Sequence, residues 1–568
     1  MQRMTPAAFR NIAFAVMASA IAVVFFAAPH ALRSGDGLEL TAVAAHLGIA
    51  HPSGYPLLTL LGYIAIHLLP VEPYTAMLLL CRAAALLSLL FVAATTRRAL
   101  LAFSFDHRTA TIVSVAGTLT FALSVTFREA VLSVEVYALN AMLLSAIAWL
   151  LLPRHEQPTT PGRLISAGTL AGLAAANHLT SLSIAPLVVL MAVAIFKRSR
   201  NVVTPLVTML LFVVLPVILY ASFMLRAEQQ HAILWGAPYG FENLLNHIRG
   251  GEYRSFQFLM EQPNRAFTLE SYGQFFFNRA YMLTYAAGSI PFGFGMTVMI
   301  SGALLIVGFL CGSGFLLKER TQHFHAAGVS VAVLMQLAFI FTYNIPDIFD
   351  YFLGLFILAA PAVMLGLCVL LRLAFRRLQF PEDKSTRAIT MLAGAVALLG
   401  CGKLIEWKRN GTEEIVASWL DTISGKLPEN SAVITAGDYD LYPLWYLQFA
   451  EGKRRDLFVY GGNFVRFPWF RKTLAPDDPR TAAVGFHAAP PTSLQQYIDD
   501  LQEKVIDPIL PYGGVYTTFP NLMEREELAK HYRIVAVGSL IPDKDLILAQ
   551  RLGLPTPPPV LYKIEPRQ

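Results

Sequence analysis

Long apolar runs, each closed by a short polar stretch, dominate residues 1–404. A helix needs about twenty apolar residues to cross the hydrocarbon layer of a bilayer. On that criterion spans are expected near 12–29, 73–96, 109–127, 133–152, 164–177, 180–196, 203–224, 291–317, 325–343, 351–371 and 388–404. The apolar piece 57–69 is too short to span comfortably and reads as a helix lying at the interface. From residue 405 the pattern changes. Strand-like runs at Ala432–Thr435, Leu457–Tyr460 and Ile534–Val537 stand between helical ones, the mixture of a soluble α/β domain. The predicted architecture is a polytopic α-helical membrane protein with about 11 spans over 1–404, followed by a soluble α/β domain over 405–568.

Composition sharpens this picture. The chain is 55% hydrophobic and 14% charged, against about 25% charged in soluble proteins, and its mean hydropathy is +0.52. The small residues Ala27, Ala28 and Ala31 imitate a secretory cleavage site, but the apolar stretch before them is long for a signal and many spans follow; it reads as a retained first helix. The net charge of +6 comes from basic residues at helix ends, without the stripe that would bind nucleic acid. Cys81, Cys311, Cys368 and Cys401 all fall in apolar segments and read as small buried hydrophobes.

Basic residues set the orientation. With the N-terminus inside, the cytoplasmic segments hold Arg3 and Arg10; Arg97, Arg98 and Arg108; Arg154 and Arg163; Lys197, Arg198 and Arg200; Lys318 and Arg320; and Arg372, Arg376, Arg377, Lys384 and Arg387. The opposite short connections hold Arg33, Arg128 and little else. An odd span count then puts the first loop (30–72), the long loop (225–290) and the C-terminal domain outside.

Those external segments carry the polar chemistry. Asp36 and Glu39 are three apart and share a face if 37–47 is helical; the same spacing also suits helix capping. "HPSGYP" (51–56) stiffens the turn that follows. Glu135, Asn140, His178, Arg226, Trp235, Arg249, Tyr253 and Asp350 decorate later external ends, and Arg82 lies within the second span. Acids and cations therefore mix on one side only, as a single external cavity at the membrane surface would require. Sugar transfer from a polyprenyl phosphate has those needs. Its tail stays in the bilayer, its phosphate leaving group calls for Arg or His, and the acceptor hydroxyl calls for a carboxylate base.

The stretch "DGLELTAVAAHLGIAHPSGYPL" resembles the signature of a membrane family long catalogued as a domain of unknown function. Its animal member is an endoplasmic-reticulum protein O-mannosyltransferase, grouped with the GT-C glycosyltransferases as family 117. The resemblance continues through "EVYALN", "GLAAANHLTSL", "LRAEQQHAILWGAP", "IRGGEYR" and "ITAGDYDLYPLWYLQ". Departures are Gly37-Leu38 where the family commonly has Ser-Gly, and Ser53 where it has a second Pro. The resemblance implies an inverting hexosyltransferase, with mannose as the sugar, a polyprenyl-phosphate donor and a protein, lipid or glycan acceptor. It also implies a multi-pass protein in the cytoplasmic membrane of a bacterium. Asp36 matches the catalytic acid of such enzymes, with Glu39 assisting or capping. By placement, Arg249, Arg226, His178 and Arg82 are the phosphate candidates, and His51, Tyr55, Glu135, Asn140, Trp235, Tyr253 and Asp350 further cavity candidates. Asp438 and Asp440, at the end of a strand-like run, are acceptor-side candidates. Some GT-C enzymes use a divalent metal; Asp36, Glu39 and Asp350 could supply oxygens, but no ligand spacing demands a metal. The alternatives are a transporter or lipid flippase, which the lack of a repeat disfavours, and a membrane-anchored sensor, which leaves the first loop unexplained.

Overall fold

Each predicted span falls on a helix. The computed structural model describes residues 5–251 apart from 27, 29 and 154–158, and 294–401 apart from 320–321, 344 and 346–347. It also describes 415–567 apart from 465–466, 487–493, 520–525 and 553–555, with Phe275, Asn278, Arg279 and Met282 in between. The boundary expected near 404 and most of the loop 225–290 lie outside the described residues.

The membrane part runs α1 (Pro6–Phe26), α2 (Asp36–Ala45), α3 (Pro56–Leu68), α4 (Pro73–Ala102), α5 (His107–Ala122), α6 (Val125–Leu132), α7 (Val136–Leu151) and α8 (Pro161–Asn177). It continues with α9 (Ala185–Ser199) after a 3-10 turn (Leu179–Ile184), then α10 (Val203–Arg226), α11 (Gly240–Ile248), α12 (Phe294–Lys318), α13 (His323–Thr342), α14 (Phe352–Arg377) and α15 (Glu382–Cys401). Among the described residues six helices are long and apolar enough to cross a membrane, or seven if one bent pair counts as a span. That pair corrects the continuous span expected over 109–127: α5 and α6 meet at 64°. The break has a local cause, because the Ser124 hydroxyl accepts from the Phe127 amide and starts a new helix. Lipid-facing surface is plain on α10, where Leu206, Leu210, Val213, Val217 and Ile218 are each at least 60% exposed. α3 is the short apolar helix expected between the first two spans.

Small residues bring the buried helices together, as they must where lipid supplies no hydrophobic drive between helices. On α12 a Cβ at Gly312 would lie 1.8 Å from the Ala362 carbonyl oxygen of α14, and one on Gly366 of α14 would lie 2.0 Å from the Gly308 oxygen. The backbones touch there.

The C-terminal part opens with α16 (Ile415–Lys426) and builds a five-stranded sheet: β1 (Ala432–Thr435), β2 (Phe458–Gly461), β3 (Val515–Thr517), β4 (Tyr532–Ser539) and β5 (Val560–Pro566), in the order β2-β1-β3-β5-β4. β1 pairs in parallel with both β2 and β3, while β5 is antiparallel to β3 and β4. All four residues of β1 are buried, as a central parallel strand requires. A helix, α17 (Asp438–Trp445), leaves its C-terminal end and packs on α2. Apolar side chains of helices and sheet form one continuous buried cluster, so the chain is a multi-pass helical protein with its α/β region docked on the first loop.

The close α12–α14 approach predicts that Gly312→Val, which must push the two backbones apart, destabilises the chain by about 1–3 kcal/mol. Thermal unfolding in detergent measures it, and an unchanged midpoint would rule the contact out.

Candidate active site

The first turn of α2 carries Asp36 and Glu39, where the positive end of the helix dipole favours acids. No side-chain hydrogen bond caps this helix. Glu39, wholly buried, instead reaches the next loop: Oε1 accepts from the His51 backbone N–H at 2.9 Å and Oε2 from His51 Nδ1 at 2.5 Å. His51 Nε2 lies 3.0 Å from the Tyr55 hydroxyl and 3.5 Å from Asp36 Oδ2. The Tyr55 hydroxyl donates onward to the Pro52 carbonyl at 3.2 Å. The two acids thus have different environments, with the Glu39 side chain at 0% exposure and that of Asp36 at 45%. Burial alone would lower the His51 pKa, but Glu39 and then Asp36 outweigh it and hold the imidazole up at about 9. His51 is an imidazolium at neutral pH.

The loop bearing His51 is clamped from the far end of the membrane part. The Arg226 guanidinium, at the end of α10, donates to the Leu47 and Gly48 carbonyls at 3.1 and 3.4 Å and to Ser222 Oγ at 3.0 Å. Ile49 forms a parallel bridge with Leu234, its amide donating to the Ile233 oxygen at 2.8 Å. A Cβ on Gly48 would sit 2.4 Å from that same oxygen, so only glycine allows the approach. The bridge brings Trp235 edge-on to His51, with ring centres 6.2 Å apart, and Trp235 packs in turn against Phe464 and Trp469 of the C-terminal part.

Beyond Tyr55 stands an aromatic wall. Tyr55 stacks on His178, which meets Tyr137 and Tyr351. The Thr180 amide donates to His178 Nδ1 at 3.2 Å, so that nitrogen is an acceptor and the ring is neutral. Behind the wall opens a cavity of about 310 Å³, whose lining includes Leu182, Met335, Phe339 and Tyr343. Leu182 and Met335 are 43% and 44% exposed, so its open edge is apolar. Arg249, just past α11, also lines it; its guanidinium makes no hydrogen bond or ion pair among the described residues.

The remaining predicted residues separate by location. Asp438 begins α17 and lies within electrostatic reach of both Asp36 and His51. Partial withdrawal from water and then Asp36 push its carboxyl up to about 6. Asp440 locks the turn before α17, accepting from the Ala436 and Gly437 amides at 2.7 and 2.9 Å and from the Thr518 hydroxyl. Arg82 is fully buried, donating to the Val131 and Ala28 carbonyls at 2.9 and 3.1 Å, and does not line the cavity. Asn140 approaches Thr180 Oγ1 at 3.5 Å. Glu135 precedes α7, within electrostatic reach of Tyr74 and Tyr137, and Asp350 lies near Tyr137 and Tyr351. Tyr253 lies outside the described residues. Among the described residues no three His, Cys, Asp or Glu side chains are grouped as metal ligands would be.

Residues 36–203 match the family described as the protein O-mannosyl-transferase TMEM260 N-terminal domain, and residues 413–507 match TMEM260-associated domain 2. Over those two stretches the chain is similar to TMEM260. It is 50% identical to the protein O-mannosyl-transferase TMEM260 of Mus musculus over 56 residues, 10% of this chain and 8% of that protein. With the Dictyostelium discoideum protein of the same name it shares 54% identity over 39 residues, 7% of this chain and 5% of that one. Those segments span a small part of the relatives' length. The crystal structure of ArnT from Cupriavidus metallidurans bound to undecaprenyl phosphate superposes with a TM-score of 0.52 at 12% identity, covering 97% of each chain. At that identity the likeness is one of fold, and the fold is GT-C-like.

The TMEM260-type motifs thus lead to the carboxylate–imidazolium cluster, but the far wall of the cavity carries no such motif. Met335, Phe339 and Tyr343 read as ordinary apolar span, and the one available signal was Gln336, a polar residue mid-span, buried and bonded to Ser183 Oγ at 3.0 Å. The His51 pairing predicts a pH-dependent stability. Because its pKa is raised in the folded chain, the stabilisation is complete below the free value of 6.5 and is lost as pH rises through about 9. Its full size is on the order of 3 kcal/mol. Thermal midpoints across that window should fall in the wild type and much less in His51→Gln.

Proposed function

We propose that the chain is an integral-membrane glycosyltransferase that moves a hexose, mannose by family similarity, from a polyprenyl-phosphate donor to an external hydroxyl. The observation that carries this reading is the pairing of a half-exposed carboxylate, Asp36, with a cavity that has an apolar open edge and is rimmed by Arg249. Tyr351 lines that cavity and lies within electrostatic reach of Asp36. The relatives' names and the lipid phosphate held by ArnT support it. The distribution of basic residues supports a cytoplasmic N-terminus and an external C-terminal domain, with its boundary near residue 404.

In this mechanism the first isoprene units lie along Leu182, Met335 and Phe339, and the donor phosphate meets Arg249, whose guanidinium stabilises the charge that develops on it. Asp36 takes the proton of the acceptor hydroxyl while its oxygen bonds to C1 of the sugar. The bond from C1 to the phosphate oxygen breaks with inversion, and the phosphate keeps the electron pair. Glu39 has both oxygens on His51 and acts through it, fixing the imidazolium that orients Asp36. Arg226 holds that loop by its carbonyls and has a structural part.

Purified protein supplied with polyprenyl-phosphate-mannose and a pool of serine- and threonine-containing peptides should transfer the sugar. Asp36→Asn should slow transfer by roughly 10²–10⁴-fold in a protein that still folds; wild-type speed would exclude Asp36 as the base. Arg249→Met should raise the KM for donor by about tenfold, the loss of one charge-assisted contact. An unchanged donor KM would move the phosphate elsewhere.

A further inference from the structure

β1 has β2 on one side and β3 on the other, so the connection after β1 runs to one flank and the one after β2 crosses back to the other. Such a switch point leaves a crevice beyond the strand where α/β proteins place ligands. Here the crevice faces the membrane part. Thr435-Ala436-Gly437 leads from β1 into α17, Asp440 ties the Ala436 and Gly437 amides and Thr518 together, and α17 packs on α2. This rigid turn presents Asp438, still open to solvent, to Asp36 and His51.

We propose that Asp438, contributed by the C-terminal domain, is a positioning residue of the transfer site, carrying the negative charge against which Asp36 takes up the acceptor's proton. The proposal rests on Asp36 being the base. Asp36 and Asp438 stand in the first turns of two helices packed on each other, and two carboxylates within electrostatic reach repel when both are ionised, so protonating one relieves the repulsion. An ionised Asp438 therefore favours proton uptake by Asp36, and a protonated Asp438 does not. Among the described residues the other groups acting on Asp438 include His51 from the loop after α2, itself held by Glu39, and Asp440 and Tyr442 from its own helix. Tyr442 bonds to the Asp438 carboxyl, and Asp440 is spent on amides and a hydroxyl. The domain would thus complete the chemistry as well as receive the acceptor.

Two measurements on the full chain test this. With polyprenyl-phosphate-mannose and the peptide pool, Asp438→Asn should lower kcat by about tenfold, as one unit of basicity is worth, with donor KM unchanged. It should also erase the fall in wild-type rate below about pH 6. Retention of the wild-type rate and pH profile, or a rise in peptide KM alone, would overturn the proposal. Independently of turnover, infrared titration should find a protonated-carboxyl band that disappears in Asp438→Asn and titrates at lower pH in Asp36→Asn, where the facing charge is gone. A band that Asp36→Asn leaves in place would overturn the coupling. Full transfer by Asp36→Asn with the band shifted would instead dismiss the base and leave the facing pair standing.

Discussion

The buried pair of Glu39 and His51 is the constraint on which the rest of the site depends. A carboxylate with no exposed surface needs a full set of partners, and both of its oxygens find them on a single residue. That bond folds the loop after α2 back onto the helix. It fixes which imidazole nitrogen faces Asp36, and it places Tyr55 where it can stack on His178. One ion pair thereby sets the carboxylate, the loop and the edge of the cavity together.

Everything around this pair serves to keep the loop from relaxing. Arg226 binds its carbonyls, the Ile49–Leu234 bridge binds its backbone, and the indole of Trp235 carries the contact into the C-terminal part. The α/β region is therefore one wall of the site. Its apolar packing is continuous with that of the membrane helices, and Lys472 donates across to the Ala227 carbonyl at 2.7 Å. A domain held this way has little freedom to act as a loosely tethered cap.

Much of the fold was legible because apolar run length and bilayer thickness are tied by simple geometry. The predicted spans are helical where they are described, and β1 covers the strand-like run at Ala432–Thr435. The break between α5 and α6 escaped, since the cap at Ser124 is a local choice that hydropathy does not weigh. The small-residue contact between α12 and α14 escaped as well. Of the site, Asp36, Glu39, His51, Tyr55, Trp235 and Asp438 converge, while Arg82 turns to backbone carbonyls and Asp440 to a turn.

By itself the sequence determined the membrane class, the helix positions, the presence of an α/β region and the motif at the first loop, because these depend on neighbours along the chain. Tertiary structure alone decided which of two acids three residues apart is buried and which stays open, and which cation reaches the cavity. It also brought Asp438 to Asp36 across four hundred residues of chain. Burial and partner choice depend on what packs from distant segments, and the local pattern contains no record of that.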